Sequence, residues 1–235
     1  MLLGVNIDHI ATIRQVRGTT YPDPLDAVAI CLKSGGDSIT AHLREDRRHI
    51  QDRDMARLCT IPDLHVNMEM AATDEMVGIC CDLKPIACCL VPEKREELTT
   101  EGGLDVIGGE AYLRPAIARL NAAGVRVSLF IDADKAQINK AIELGAAVIE
   151  LHTGHYADVT GQARQDELKR LQDAATFAAG MGLIVHAGHG LTLENTPDIA
   201  AIPELKELNI GHAIVADALF KGLAQSIADF KALLR

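Results

Sequence analysis

The stretch GVRVSLFIDADKAQINKAIELGAAVIELH, Gly124 to His152, shows the repeating unit from which the chain is built. Val125 to Ile131 is a short apolar, β-branched run suited to a buried strand. Asp134 to Leu144 then switches to helical spacing, Gly145 stands where a left-handed residue closes the last turn, and Ala147 to His152 begins a second strand-like run. A strand, a helix and another strand in immediate succession imply parallel strands joined by a crossover helix.

The unit recurs over the whole chain. Strand-like runs stand at Leu2 to Asp8, Asp37 to Leu43, Leu64 to Glu69, Ile86 to Val91, Val125 to Ile131, Ala147 to His152, Leu183 to Ala187 and Ile210 to Val215. Helical spacing is read at Pro24 to Lys33, Ile50 to Leu58, Asp74 to Leu83, Ala111 to Ala123, Asp134 to Leu144, Gln165 to Ala179 and Ala216 to Leu234, with a short candidate around Asp198 to Ala201. Gly35-Gly36, Gly124, Gly145 and Gly180 with Gly182 mark helix ends, and Pro24 a helix start. Alternating units of this kind in 235 residues close most economically into an α/β fold, a single-domain (β/α)8 TIM barrel over residues 1–235. An open doubly wound sheet is the alternative, but no G-x-G-x-x-G follows the first strand. Pro92 to Glu110 is long and polar, with two glycine pairs, and is expected to be a mobile loop.

Composition narrows the function. Aromatic residues are 3% and the net charge is −10, which disfavours base stacking and phosphate-backbone binding, so no nucleic-acid partner is expected. No uncharged apolar stretch reaches the roughly 18–20 residues of a membrane span, and the amino terminus lacks a basic n-region, so a soluble, cytoplasmic protein is expected. Cys80-Cys81 and Cys88-Cys89 are adjacent pairs in apolar runs and read as buried thiols of a reducing compartment.

The chemistry of such a barrel collects at the carboxyl ends of its strands. Those ends carry Asn6, Asp8 and His9, then His42 and Arg44, Asn67 and Glu69, Glu150 and His152, His189-Gly190, and Gly211-His212. Singly, each has a bland use: Glu69 could be neutralised by Arg44 or Arg17, and His152 could cap a turn. Their gathering at one end of the barrel points instead to a site. His42, Glu69, Glu150 and His189 could also ligate a metal, but no tight His-x-His spacing supports it, and none is expected. Among the lysines only Lys94 lies within plausible reach, which disfavours an enzyme-bound imine. Glycines beside His189 and His212 suit backbone binding of a phosphate, and Arg17, Arg44 and His49 could serve a second anion. A phosphosugar isomerase and a non-catalytic phosphate-binding barrel remain open at this point.

The motifs GVNIDHIATIRQVRG from Gly4, HLREDRRHIQDRD from His42, NMEMA from Asn67, LVPEKREELTTEGGLD from Leu90, IELHTGHYAD from Ile149, AGHGL from Ala187 and NIGHAI from Asn209 closely resemble the pyridoxine 5'-phosphate synthase family of vitamin B6 biosynthesis, over nearly the whole chain. The resemblance implies a barrel with extra helices and a homo-octamer built from dimers. It implies two phosphorylated substrates, 1-deoxy-D-xylulose 5-phosphate and 3-amino-2-oxopropyl phosphate, and no cofactor. On the same basis His42 and Glu69 would be proton acceptors, His189 a proton donor, and Glu150 a transition-state stabiliser. Asn6, Arg17, Gly190, Gly211 and His212 would hold the aminoketone phosphate, and Asp8, His9, Arg44, His49 and Thr99 the deoxyxylulose phosphate. The chain departs from the family pattern at His186 and at Ala216-Asp217.

Overall fold

Eight parallel strands pair in chain order and close, the last hydrogen-bonding to the first. The structure, a computed structural model, describes residues 1–93 and 102–234. The strands are β1 (Leu2–Asn6), β2 (Ser38–His42), β3 (Val66–Met70), β4 (Ala87–Leu90), β5 (Arg126–Ile131), β6 (Val148–His152), β7 (Ile184–Gly188) and β8 (Leu205–Ile210). Around them run α1 (Asp8–Arg17), α2 (Asp26–Lys33), α3 (Asp52–Cys59), α4 (Asp74–Leu83), α5 (Glu110–Ala122), α6 (Lys135–Glu143), α7 (Gly154–Asp158), α8 (Gly161–Gly180), α9 (Thr196–Ala200), α10 (His212–Lys221) and α11 (Leu223–Leu233). The helical starts obey local chemistry: the Asp134 side chain accepts from the amides of Ala136 and Gln137, and Thr73 accepts from Met76.

Side chains alternate along each strand, and the two sets differ in kind. Leu3, Val5, Ile39, Ala41, Met68, Leu129, Ile149, Val185 and Leu208 join the apolar core beneath the helices. The positions between them face one another inside the barrel and are mostly polar, with Gly4, Cys89 and Phe130 among them. Ser38 Oγ donates to Glu207 Oε1 at 2.7 Å, Thr40 Oγ1 to Asn209 Oδ1 at 2.9 Å, and Asn209 Nδ2 to Glu150 Oε2 at 2.7 Å. Where many such barrels fill their centre with branched aliphatics, this one carries a hydrogen-bonded polar interior below its carboxyl end.

Three readings of the sequence are corrected, and a fourth falls partly outside the described residues. The eighth strand is Leu205–Ile210, not Ile210 to Val215, because Glu207 and Asn209 turn inward to polar partners and break the expected apolar pattern. The helix Asp8–Arg17 has no counterpart in the sequence reading, since its buried face holds Asp8 and Arg14 beside Ala11. The last helix is two, broken at Gly222, whose φ of 83° a helix cannot hold. Of the expected mobile loop, residues 94–101 lie outside the described residues. From Gly102 onward the segment is fastened, with Val106 and Leu104 buried and Leu104 N donating to Phe130 O at 2.7 Å.

All six cysteines are unpaired, four of them buried. Among the described residues no helix is long and apolar enough to cross a membrane.

Candidate active site

At the carboxyl end of the barrel, β1, β2 and β3 deliver one connected group. Asn6 Nδ2 donates to Asp8 Oδ2 at 2.9 Å and to Glu69 Oε2 at 3.3 Å, while Asp8 Oδ1 accepts the His42 backbone N–H at 2.8 Å. Asp8 opens α1, where the helix N-terminus favours a negative charge. His42 Nδ1 stands 3.9 Å from Glu69 Oε2, and its Nε2 stands 2.7 Å from Glu93 Oε1. Donor atoms of Asp8, His42 and Glu69 lie within 4.8 Å of one another, close enough to be asked to hold a cation. Both Asp8 oxygens and one Glu69 oxygen already accept protein hydrogen bonds, as an acid–base cluster would have them.

Burial and like charge set the protonation of this group. Burial, with Asp8 and Glu150 nearby, holds the Glu69 carboxyl well above the usual carboxylate range. Glu150, 3% exposed on β6, is pushed up by burial to about 8 despite its hydrogen bond from Asn209. It is therefore mostly a neutral acid at pH 7, able to donate a hydrogen bond from its own O–H. Gly188 makes room for it: a Cβ there would stand 2.6 Å from Glu150 Oε1.

His189 follows β7 with a φ of 84°, a left-handed backbone uncommon outside glycine. The Thr153 hydroxyl, 2.6 Å from the carbonyls of both Gly188 and His189, secures this turn. Burial, reinforced by His152, lowers the His189 imidazole to about 4, so the ring is neutral at pH 7. Its ring centroid lies 5.2 Å from that of His152, whose Nδ1 is 3.2 Å from Asp132 Oδ1 and whose Nε2 is buried without a partner among the described residues.

The expected binding residues divide. His9 and His212 meet with ring centroids 5.1 Å apart, and the His9 Nδ1 is buried and unpartnered among the described residues. Burial lowers the pKa of His9 and of His49, whose ring lies 6.0 Å from that of His42. Gly211 caps α10 and lies against Asn6, so the α10 amide end opens beside the cluster. Arg44 is buried and pairs with Asp46 at 3.5 Å rather than with Glu69. Arg17 ends α1, exposed, about 13 Å along the helix from Asp8, and does not join the cluster. Thr99 and Lys94 lie outside the described residues. Lys206 falls at the opposite, amino end of β8, which preserves the absence of a lysine at the described strand ends.

Sequence reasoning missed Glu93 and the Asp132–His152 pair. Both acids stand just past strand ends, β4 and β5, so the rule applied to the other six strands would have found them.

A family model described as "Pyridoxal phosphate biosynthesis protein PdxJ" matches residues 3–235. The chain belongs to the PdxJ family. Pyridoxine 5'-phosphate synthase of Photobacterium profundum is 58% identical over 98% of this chain and 96% of its own. The enzyme of the same name from Aliivibrio fischeri is 57% identical over 100% and 97%. Among solved structures, 3-hexulose-6-phosphate synthase from Salmonella typhimurium superposes with a TM-score of 0.69 at 14% identity, covering 100% of this chain and 98% of that one, a likeness of fold. The two positions at which the sequence reading expects a departure from the family sit away from the cluster. His186 lies inside the barrel beside Glu207 and is lowered by burial to about 4, and Asp217 pairs with Lys221 at 3.2 Å on α10.

Proposed function

We infer that this chain is an enzyme of vitamin B6 biosynthesis, a pyridoxine 5'-phosphate synthase that condenses 1-deoxy-D-xylulose 5-phosphate with 3-amino-2-oxopropyl phosphate, releasing phosphate and water. The observation that carries the reading is the convergence of His42, Glu69, Glu150 and His189 on one barrel end in a chain 58% identical to a synthase along almost its whole length.

The amine of one substrate attacks the ketone of the other, so the imine forms between substrates and no enzyme lysine is required. Ring closure then asks for several proton transfers around one pocket. His42 and Glu69 accept protons; the raised pKa of Glu69 makes it a stronger base than an exposed carboxylate. Glu150, held neutral, donates a hydrogen bond to an oxygen that gains charge in the transition state. His189 donates a proton to the departing group, and a phosphate bound on Gly190, Gly211 and the α10 amide end beside His212 raises its basicity as the pocket fills. The family resemblance further assigns Asn6 and Arg17 to the aminoketone phosphate, although Arg17 stands apart from the cluster at the far end of α1, and Asp8, His9, Arg44, His49 and Thr99 to the other substrate. The chain acts as one catalytic domain over residues 1–235, without a metal or cofactor, in the cytoplasm, where its six free thiols persist.

The test is product formation, followed by the absorbance of pyridoxine phosphate, after exhaustive dialysis against chelator. Turnover only with both substrates present supports the reading. Conversion of either substrate alone makes the protein an isomerase, and activity restored only by a divalent ion overturns the metal-free account.

A further inference from the structure

Glu93 takes no part in the proton transfers above, yet it is built into the site. It lies just past β4 with its side chain 4% exposed. Its Oε1 stands 2.7 Å from His42 Nε2 and accepts from the Ala71 amide at 3.2 Å, and its Oε2 accepts from the Glu45 amide at 3.0 Å. We propose that Glu93 is the positioning residue for His42: it accepts the Nε2–H, fixes the ring in that tautomer, and leaves Nδ1 as the atom that takes the substrate proton. The inference rests on His42 being a proton acceptor.

A neutral imidazole carries one N–H, and an ionised carboxylate can only accept. Burial pushes the Glu93 carboxyl up, but the hydrogen bond to His42, the charge His42 carries once protonated, the Glu45 amide and Arg44 pull it down further, below the usual range. Glu93 is therefore a carboxylate at neutral pH, and the shared hydrogen belongs to Nε2. Nδ1 is then the lone-pair nitrogen. Its 3.9 Å separation from Glu69 Oε2 exceeds a hydrogen bond, so the lone pair is not committed there. When Nδ1 takes a proton, the bonding electrons stay on the substrate and the ring becomes imidazolium. The groups facing that charge are Glu93, Glu69 and Asp8, against Arg44 and His49. Glu93 makes the closest contact with it.

Nitrogen-15 NMR of the intact, histidine-labelled protein reads the tautomer directly, with the His42 signals assigned by their loss in His42→Asn. The expected pattern is a protonated Nε2 and a lone-pair Nδ1; the reverse tautomer overturns the proposal. Glu93→Gln keeps an acceptor oxygen but loses the charge. Its kcat should fall about 10- to 1,000-fold, with both KM values within about threefold. In a His42→Asn background the same change should cost nothing further in kcat. Near-normal turnover in His42→Asn removes His42 as the base, a failure of the reading beneath. Loss of turnover in His42→Asn beside a Glu93→Gln within twofold of the parent overturns the role of Glu93 alone. Should Glu93→Gln not fold, the tautomer decides.

Discussion

His189 combines a left-handed backbone with a buried, neutral ring, and both properties shape its test. Asparagine tolerates a positive φ better than most residues, so His189→Asn keeps the turn and leaves Gly188 and Gly190 free. A positioned general acid contributes roughly 100- to 10,000-fold, so kcat should fall by that order while the KM for the aminoketone phosphate changes by less than about tenfold. Collapse of affinity with near-normal turnover at saturation would make His189 a phosphate ligand and His212 the next candidate donor. Glu150 gives the opposite trade. Its folded pKa, about 8, lies above the usual 4.5, so the folded state holds its proton more tightly and loses stability as pH rises between those values. Glu150→Gln does not titrate and can still accept from Asn209. Relative to the parent it should gain stability with pH from about 5 to 8, by up to about 1.4 kcal/mol per unit, while its turnover falls. Urea melts at the two pH values check this, and a difference between parent and variant that stays flat with pH would remove the raised carboxyl.

Elements are legible in the sequence where their buried face is apolar and illegible where it is polar. α4 begins and ends where the spacing of Asp74 to Leu83 predicts, because its buried residues Met76, Val77 and Cys80 are apolar. α1 hides because Arg14, 1% exposed, occupies its inner face, and β8 because Glu207 and Asn209 occupy the inner face of that strand. The polar strand ends of the site are legible for the same reason that β8 is not: buried polarity is the signal of function and the noise of secondary-structure reading. Arg14 shows what supports it. Its guanidinium grips Asp54 at 2.6 and 3.0 Å and donates to the His49 carbonyl at 3.1 Å, tying α1 to α3 and to the loop that carries His49. Arg14→Met leaves Asp54 buried without its partner and should cost about 3–5 kcal/mol. Adding Asp54→Leu should recover much of that loss; equal melts for single and double variants would show that the ion pair is not what the helix rests on.

At the scale of the molecule, the surface opposes its own charge. A net charge of −10 repels neighbouring copies, yet Leu219 and Phe220 at the end of α10 are 69% and 91% exposed, and Val16 at the end of α1, which packs beside α10, is 79% exposed. A lone soluble chain gains nothing from a phenylalanine held almost wholly in water, whereas burying it against a second copy is worth about 2–3 kcal/mol. An octamer built from dimers, as the sequence resemblance implies, would give these side chains a place to go. Sedimentation at micromolar concentration should then find an assembly far larger than 25.2 kDa. Phe220→Asp removes the apolar contact and adds like charge at the same point, so it should yield smaller species with an intact barrel by circular dichroism. Because screening weakens the repulsion and leaves apolar burial in place, raising salt from about 0.01 to 0.15 M should favour the larger species in the parent chain. A monomeric parent, or a Phe220→Asp variant that sediments unchanged, would show that α10 does not form the contact.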